Sequence, residues 1–263
     1  MFNFIFKTKY LFFALSFLLF TYSYAEKKKD VSNIVFCWSP DDHPKHTHGY
    51  KLFAKIMEGK FKSVEDVKTT SVQGFPKAEI WKDADLVIFF LTVKTLSEEQ
   101  LELLDKHIAN GKSLFVMHQG LVVRKNYDGW ADRIGFAYSW TKGEQKSNWG
   151  AFNSPINLNT EHEIFKGFDK TITFKDELYW NLKKGSRGKI TVLGTTQSPK
   201  EPKGEWPAFW TVEHNKTSRV FCTVPGHFDK VISSEIFEKT LFRGMAWCLS
   251  RPINSFDNLP YKK

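Results

Sequence analysis

Four short apolar runs constrain this chain more than anything else in it. Residues 33–38, 85–91, 114–117 and 219–224 are too short for buried helices and too continuously apolar for strands with one wet face. Such runs are strands covered on both faces, the mark of a parallel sheet between layers of helices. Helical segments separate them. Residues 50–57 carry apolar side chains at helical spacing, and Ser97-Glu98-Glu99-Gln100 opens a helix that runs to Ala109. Ser97 is its natural N-cap, with Gln100 three residues on, and Asn110-Gly111 stops it. A weaker strand is expected at 66–73. This βαβ alternation predicts a doubly wound α/β sheet. In the second half the strand-like segments come closer together, at 156–159, 171–180, 189–196, 208–213 and 219–224. Antiparallel additions to the sheet are therefore expected, with a hairpin turn over 213–218 and a long C-terminal helix over 233–250. Asn215-Lys216-Thr217 in that turn fits a glycosylation sequon only at chance level.

The N-terminus reads as a secretory signal. Lys7 and Lys9 precede an apolar stretch over 11–20, and Ser23-Tyr24-Ala25 offers a small-x-small cleavage site before Glu26. An uncleaved anchor is the alternative, although the apolar stretch is short for a transmembrane helix. Cleavage removes 25 of 263 residues, including two lysines and no acid, and takes the formal charge from +9 to +7. The remainder, 26–263, suits one domain. Its lysines are scattered, with no basic stripe and no nucleic-acid motif, so a nucleic-acid partner is not expected. Cys37, Cys222 and Cys248 all sit in apolar runs, and an odd number cannot pair completely. Buried free thiols are expected, with a Cys37–Cys222 bridge as the alternative in an oxidising compartment. The 25 Phe and nine Trp favour a well-filled core, with some Trp available to a sugar site.

Chemistry concentrates where the apolar runs end. The first leads into Asp41-Asp42-His43-Pro44-Lys45-His46-Thr47-His48, the third ends at His118, and the fourth leads into Pro225-Gly226-His227. Parallel strands would gather these imidazoles at the carboxyl edge of the sheet, where open α/β folds keep their sites. Imidazole and carboxylate suit a transition metal or acid/base work. Alternatively, Asp41, Asp42 and Thr47 cap a helix and the loop histidines are solvated. In Asp176-Glu177-Leu178-Tyr179-Trp180, adjacent acids face opposite sides of a strand, and Glu177 shares a face with Tyr179. Glu177 is a candidate ligand or base, or else a surface acid on an edge strand. Arg124 could bind an anion or hydroxyls.

Read in order, these segments resemble the ThuA-like (trehalose utilisation) family. The resemblance rests on Asp42-His43 with His48-Gly49-Tyr50, Ala84 through Ile88, Gly111 through His118, Glu161 through Phe168, Asp176 through Trp180, Pro207 through Thr211, Ser218 through Phe221 with Gly226-His227, and Phe242 through Trp247. Departures are Asn215-Lys216-Thr217-Ser218 in the hairpin, His162-Glu163 in place of His-Pro, and the added His46. The resemblance implies a fold like the class I glutamine amidotransferases. Their nucleophile is a strand-end cysteine, and His118 stands in what looks like that place, which disfavours glutaminase chemistry. It also implies carbohydrate metabolism, including the breakdown of oxidised (3-keto) sugars.

Together these readings predict an exported, periplasmic or extracellular, flavodoxin-like domain. The expected activity is that of a metal-assisted hydrolase or lyase on a sugar or 3-keto-glycoside. A non-catalytic carbohydrate-binding protein is the alternative. His43, His48, His118 and His227 are the candidate ligands of a divalent ion such as zinc. His118, Glu177 and His227 are the candidate catalytic groups. Tyr179, Trp206, Trp210 and Arg124 are the candidate contacts to a small carbohydrate, with core packing as the alternative for Trp180 and Trp210. No stable membrane insertion is expected after cleavage.

Overall fold

The computed structural model describes residues 31–40, 44–143 and 146–260. The expected signal peptide and His43 lie outside these residues. The first half runs β1 (Ser32–Trp38), α1 (Tyr50–Phe61), β2 (Val67–Gln73), α2 (Ala78–Asp83), β3 (Leu86–Phe90), β4 (Val93–Thr95), α3 (Glu98–Ala109), β5 (Ser113–Met117), β6 (Val123–Lys125), α4 (Tyr127–Ile134) and β7 (Phe136–Ala137). The second half runs β8 (Asn148–Leu158), β9 (Thr171–Trp180), β10 (Lys183–Lys184), β11 (Lys189–Gln197), β12 (Glu205–Glu213), β13 (Arg219–Thr223), α5 (Asp229–Ile232) and α6 (Glu235–Cys248). Nine strands form one sheet in the order β2-β1-β3-β5-β13-β12-β11-β8-β9. The first five are parallel, in flavodoxin-like order, and the last four join antiparallel. No helix among the described residues is long and apolar enough to cross a membrane.

Period-two alternation along the central strands divides the core in two. Ile34, Phe36, Ile88, Phe90, Phe115 and Phe221 face α1 and α6. Val35, Cys37, Val87, Phe89, Leu114 and Val220 face the layer of α2, α3 and α4. Burying each such side chain stabilises the fold by about 1.5–3 kcal/mol. Gly244 lets α6 close on the sheet, because a Cβ there would stand 2.7 Å from Phe221 and 2.9 Å from Phe115. The capping box of α3 forms as its sequence requires. Ser97 Oγ accepts from the Gln100 amide, and Gln100 Oε1 accepts from the Ser97 amide.

The Cys37–Cys222 alternative is excluded by topology. The two residues lie in one row across the sheet, Cys37–Phe89–Val116–Cys222, separated by three strand spacings. That is roughly 14 Å, twice the reach of a disulfide. All three thiols are free and buried, and burial pushes each of them up. The hairpin turn between β12 and β13 is an Asx turn. Asn215 Oδ1 accepts from the amides of Thr217 and Ser218, while its Nδ2 donates to the Ile108 carbonyl. The sequon nitrogen is therefore engaged in packing.

His107 on α3 is 2 % exposed and donates from Nε2 to the Ser113 carbonyl, 3.0 Å away. Burial pushes its pKa down to about 4, below the ordinary histidine range. The folded state thus holds it neutral while the unfolded chain protonates near pH 6.5. Its contribution is present above pH 6.5 and is lost as pH falls towards 4, in total about 3 kcal/mol. Thermal unfolding of His107→Gln between pH 7 and pH 4.5 should show a shallower acid limb than the parent; identical limbs would refute the assignment.

Candidate functional site

The carboxyl edge of the parallel strands carries the site. His118 follows β5 directly and begins a tight turn, with its backbone in the left-handed region at φ +46°. His227 follows β13 through Gly226, whose φ of +131° suits glycine. His48 ends the loop after β1, also left-handed, at φ +48°. Two non-glycine residues held in that region mark strain that the surrounding structure must sustain. Backbone pairing joins two of these loops: the His48 amide donates to the His227 carbonyl (2.9 Å) and the Asp229 amide to the His46 carbonyl (3.0 Å).

The three rings are buried and converge. His227 Nδ1 lies 2.8 Å from His48 Nε2 and 3.1 Å from His118 Nε2, and the three nitrogens fall within 4.8 Å of one another. The far nitrogens of two rings are tied down. His118 Nδ1 donates to the Val224 carbonyl at 2.7 Å, which leaves a lone pair on its inward Nε2 when the ring is neutral. His48 Nδ1 is 2.8 Å from the Tyr50 hydroxyl, which lies 3.2 Å from Thr92 Oγ1. Lone pairs aimed at one point from anchored imidazoles are a donor set that fits a divalent transition metal.

Strand β9 supplies the acids and a phenol. Glu177 Oε1 stands 3.7 Å from both His118 Nε2 and His227 Nδ1. Tyr179 Oη lies 2.9 Å from His118 Nε2 and donates to Gln119 Oε1 at 3.2 Å. Burial and, after it, the Glu177 charge raise both nearby phenols, Tyr138 to about 12 and Tyr179 well above its ordinary range. Both are therefore proton donors at neutral pH. Asp176 points the other way and is fully buried. Its carboxylate accepts from the amides of Gly226 (2.6 Å), His227 (3.3 Å) and Phe228 (3.1 Å). Burial pushes its pKa up to about 6 against the pull of those bonds.

A cleft of about 410 Å³ opens onto this centre, with Gln119, Glu177, Tyr179 and His227 in its floor and Lys94, Arg124, Trp140 and Trp149 in its walls. The structure thus brings together His48, His118, His227, Glu177, Tyr179 and Arg124. It does not bring in two of the expected tryptophans. Trp210 is fully buried and donates to the Ile134 carbonyl, because its face of β12 packs on α4. Trp206 is half-buried near the start of β12, and Trp180 is buried against the Glu201 carbonyl. None of the three lines the cleft. His46 is exposed and stands 3.8 Å from Asp229, apart from the cluster. Trp140 and Trp149, 42 % and 60 % exposed, line the cleft instead. The signal for Trp140 was an aromatic side chain in an otherwise polar loop. Asp176 stood out in the sequence only as the neighbour of Glu177, and nothing marked its role, since its partners are backbone amides.

A flavodoxin-like sheet with histidines gathered at its carboxyl edge, and no cysteine at the turn after β5, defines the fold and its candidate site. The family model ThuA, described as trehalose utilisation, matches residues 34–248, and the chain belongs to that family. The fold is similar to a ThuA-like protein from Bacteroides uniformis, with 16 % identity over 86 % of this chain and 96 % of that one and a TM-score of 0.62. A ThuA-like protein from Parabacteroides merdae is likewise 16 % identical, over 84 % and 91 % of the two chains, with a TM-score of 0.62. A β-galactosidase from Bacillus circulans shares the fold over 83 % of this chain and 30 % of its own, at 10 % identity and a TM-score of 0.51. No curated protein matches the sequence.

Replacing Asp176 by asparagine removes part of the acceptor capacity beneath the Gly226–Phe228 amides. Asp176→Asn should lower stability by about 1–3 kcal/mol in denaturant titration. It should also speed hydrogen exchange at residues 226–228 more than in β5. Unchanged exchange there would show that the carboxylate does not hold the turn.

Proposed function

We propose that this protein of carbohydrate metabolism is a metal-assisted enzyme, of hydrolase or lyase type, acting on a sugar or 3-keto-glycoside. The observation that carries this reading is the convergence of His48 Nε2, His118 Nε2 and His227 Nδ1 within 4.8 Å. Three imidazoles suit zinc or a similar divalent ion. When bound, such an ion polarises a sugar carbonyl or makes water a nucleophile. The chain's own groups would do the rest. Glu177, beside both inner rings and open to the cleft, would accept and return a proton. Tyr179, kept protonated, would donate to an oxygen gaining negative charge. Trp140 and Trp149 would offer flat apolar faces to the carbon skeleton of a sugar ring. The family's link to trehalose utilisation supports a carbohydrate substrate.

The test is the metal content of the purified protein, followed by turnover of 3-keto-glucosides. About one divalent ion per chain is expected, and His118→Ala and His227→Ala should lose both the ion and the activity. Tyr50→Phe, which removes the hydroxyl beside the far nitrogen of His48, should weaken metal affinity about tenfold. Metal content and activity unchanged in both histidine variants would overturn the reading. Sugar binding without metal or turnover would favour a non-catalytic carbohydrate-binding protein.

We also propose that the chain is exported, supported by Lys7, Lys9, the apolar stretch over 11–20 and Ser23-Tyr24-Ala25. Expression in a bacterial host with an intact secretion system should yield a periplasmic or secreted protein whose mass starts at Glu26. A cytoplasmic product of full mass would contradict it.

A further inference from the structure

One wall of the cleft is built in a way that neutral sugar recognition does not require. Strands β4 and β6 form a two-stranded parallel ladder apart from the main sheet, with Val93 opposite Val123 and Thr95 opposite Lys125. That register sets Lys94 opposite Arg124. Val93 and Val123 are buried while Lys94 and Arg124 are exposed, and both cations line the cleft. Like charges directly across a ladder are unfavourable without an anion between them. Among the described residues, neither cation makes an ion pair. The Arg124 guanidinium is held over the Trp140 ring, 5.5 Å from its centre, which positions the group beside the exposed aromatic wall. The only acid lining the cleft among the described residues is Glu177, and it belongs to the histidine floor.

We propose that Lys94 and Arg124 form an anion subsite, and that the substrate class of this cleft is a sugar carrying a carboxylate or phosphate group. This rests on the carbohydrate reading above and specifies it. The ring would lie against Trp140 and Trp149. Its anionic substituent would meet the planar donors of Arg124 and the ammonium of Lys94, and its reacting carbon would turn towards the histidines. Arginine presents a fork of N–H donors that matches both carboxylate and phosphate, and lysine adds a compact charge.

The experiment is a tryptophan-fluorescence titration of the full protein with matched pairs: methyl glucoside against methyl glucuronide, and methyl galactoside against methyl galacturonide. Glucose 6-phosphate and inorganic phosphate complete the set. The anionic member of a pair should bind about tenfold tighter than its neutral twin, the gain from a charge-assisted contact. The ratio should shrink as salt is raised. In the doubly substituted Lys94→Met, Arg124→Met protein the ratio should fall to within about twofold of unity. The relative affinities of glucuronide and glucose 6-phosphate say which anion the site prefers. Equal binding of the twins by the parent protein, or a ratio that survives the double substitution, overturns the subsite while leaving the carbohydrate reading in place. Failure of every sugar to bind, with phosphate alone bound, overturns the carbohydrate reading and the sugar-acid assignment with it.

Discussion

A single buried carboxylate joins the two halves of this fold at the place where the chemistry gathers. Asp176 belongs to β9, the last strand of the antiparallel extension, yet it accepts hydrogen bonds from the turn after β13, in the parallel half. Four strand spacings separate those strands along the sheet, roughly 19 Å if it were flat. Contact at 2.6 Å requires the extension to curl back over the carboxyl edge. The register shifts in β11 around Gly194 are where that extra coiling enters, as β-bulges do elsewhere. Without the curl, Glu177 and Tyr179 would not reach His118 and His227.

The curl also explains the division of labour between adjacent acids. Period-two alternation sends Asp176 and Glu177 to opposite faces of β9. One ends among backbone amides and fixes the His227 turn. The other ends beside the imidazoles and opens to the cleft. The same segment thus supplies both the fixing of the site and one of its reactive groups. Burial raises Asp176 only to about 6, because the amides of Gly226, Phe228, Glu177 and His227 offset part of the desolvation.

Much of this was legible in the chain. The continuous apolar runs forced strands covered on both faces, and the Ser97–Gln100 pair located a helix start that forms as expected. His118 and His227 could be placed at strand ends from sequence because they follow those runs directly. Other elements were not legible. Strand β8 begins at Asn148, well before the expected start at 156, because its first half mixes exposed and partly buried side chains and carries no continuous apolar run. Helix α2 has six residues and buries only Trp81, so no helical period stands out there, and α4 is amphipathic but only eight residues long. Trp210 looked available to a ligand because sequence does not say which face of β12 is wet.

Local sequence determined the central strands, helices α1, α3 and α6, the parallel or antiparallel character of the two halves, and the presence of histidines at the ends of strands. It did so because hydrophobic period and turn residues act over a few positions. Tertiary structure alone decided which of those histidines meet, that Asp176 holds one of their turns, and that Trp140 and Trp149 rather than Trp206 and Trp210 border the cleft. It also decided that Lys94 and Arg124 stand side by side. These are contacts between residues far apart in the chain. They depend on strand order and sheet curvature, which no local pattern encodes.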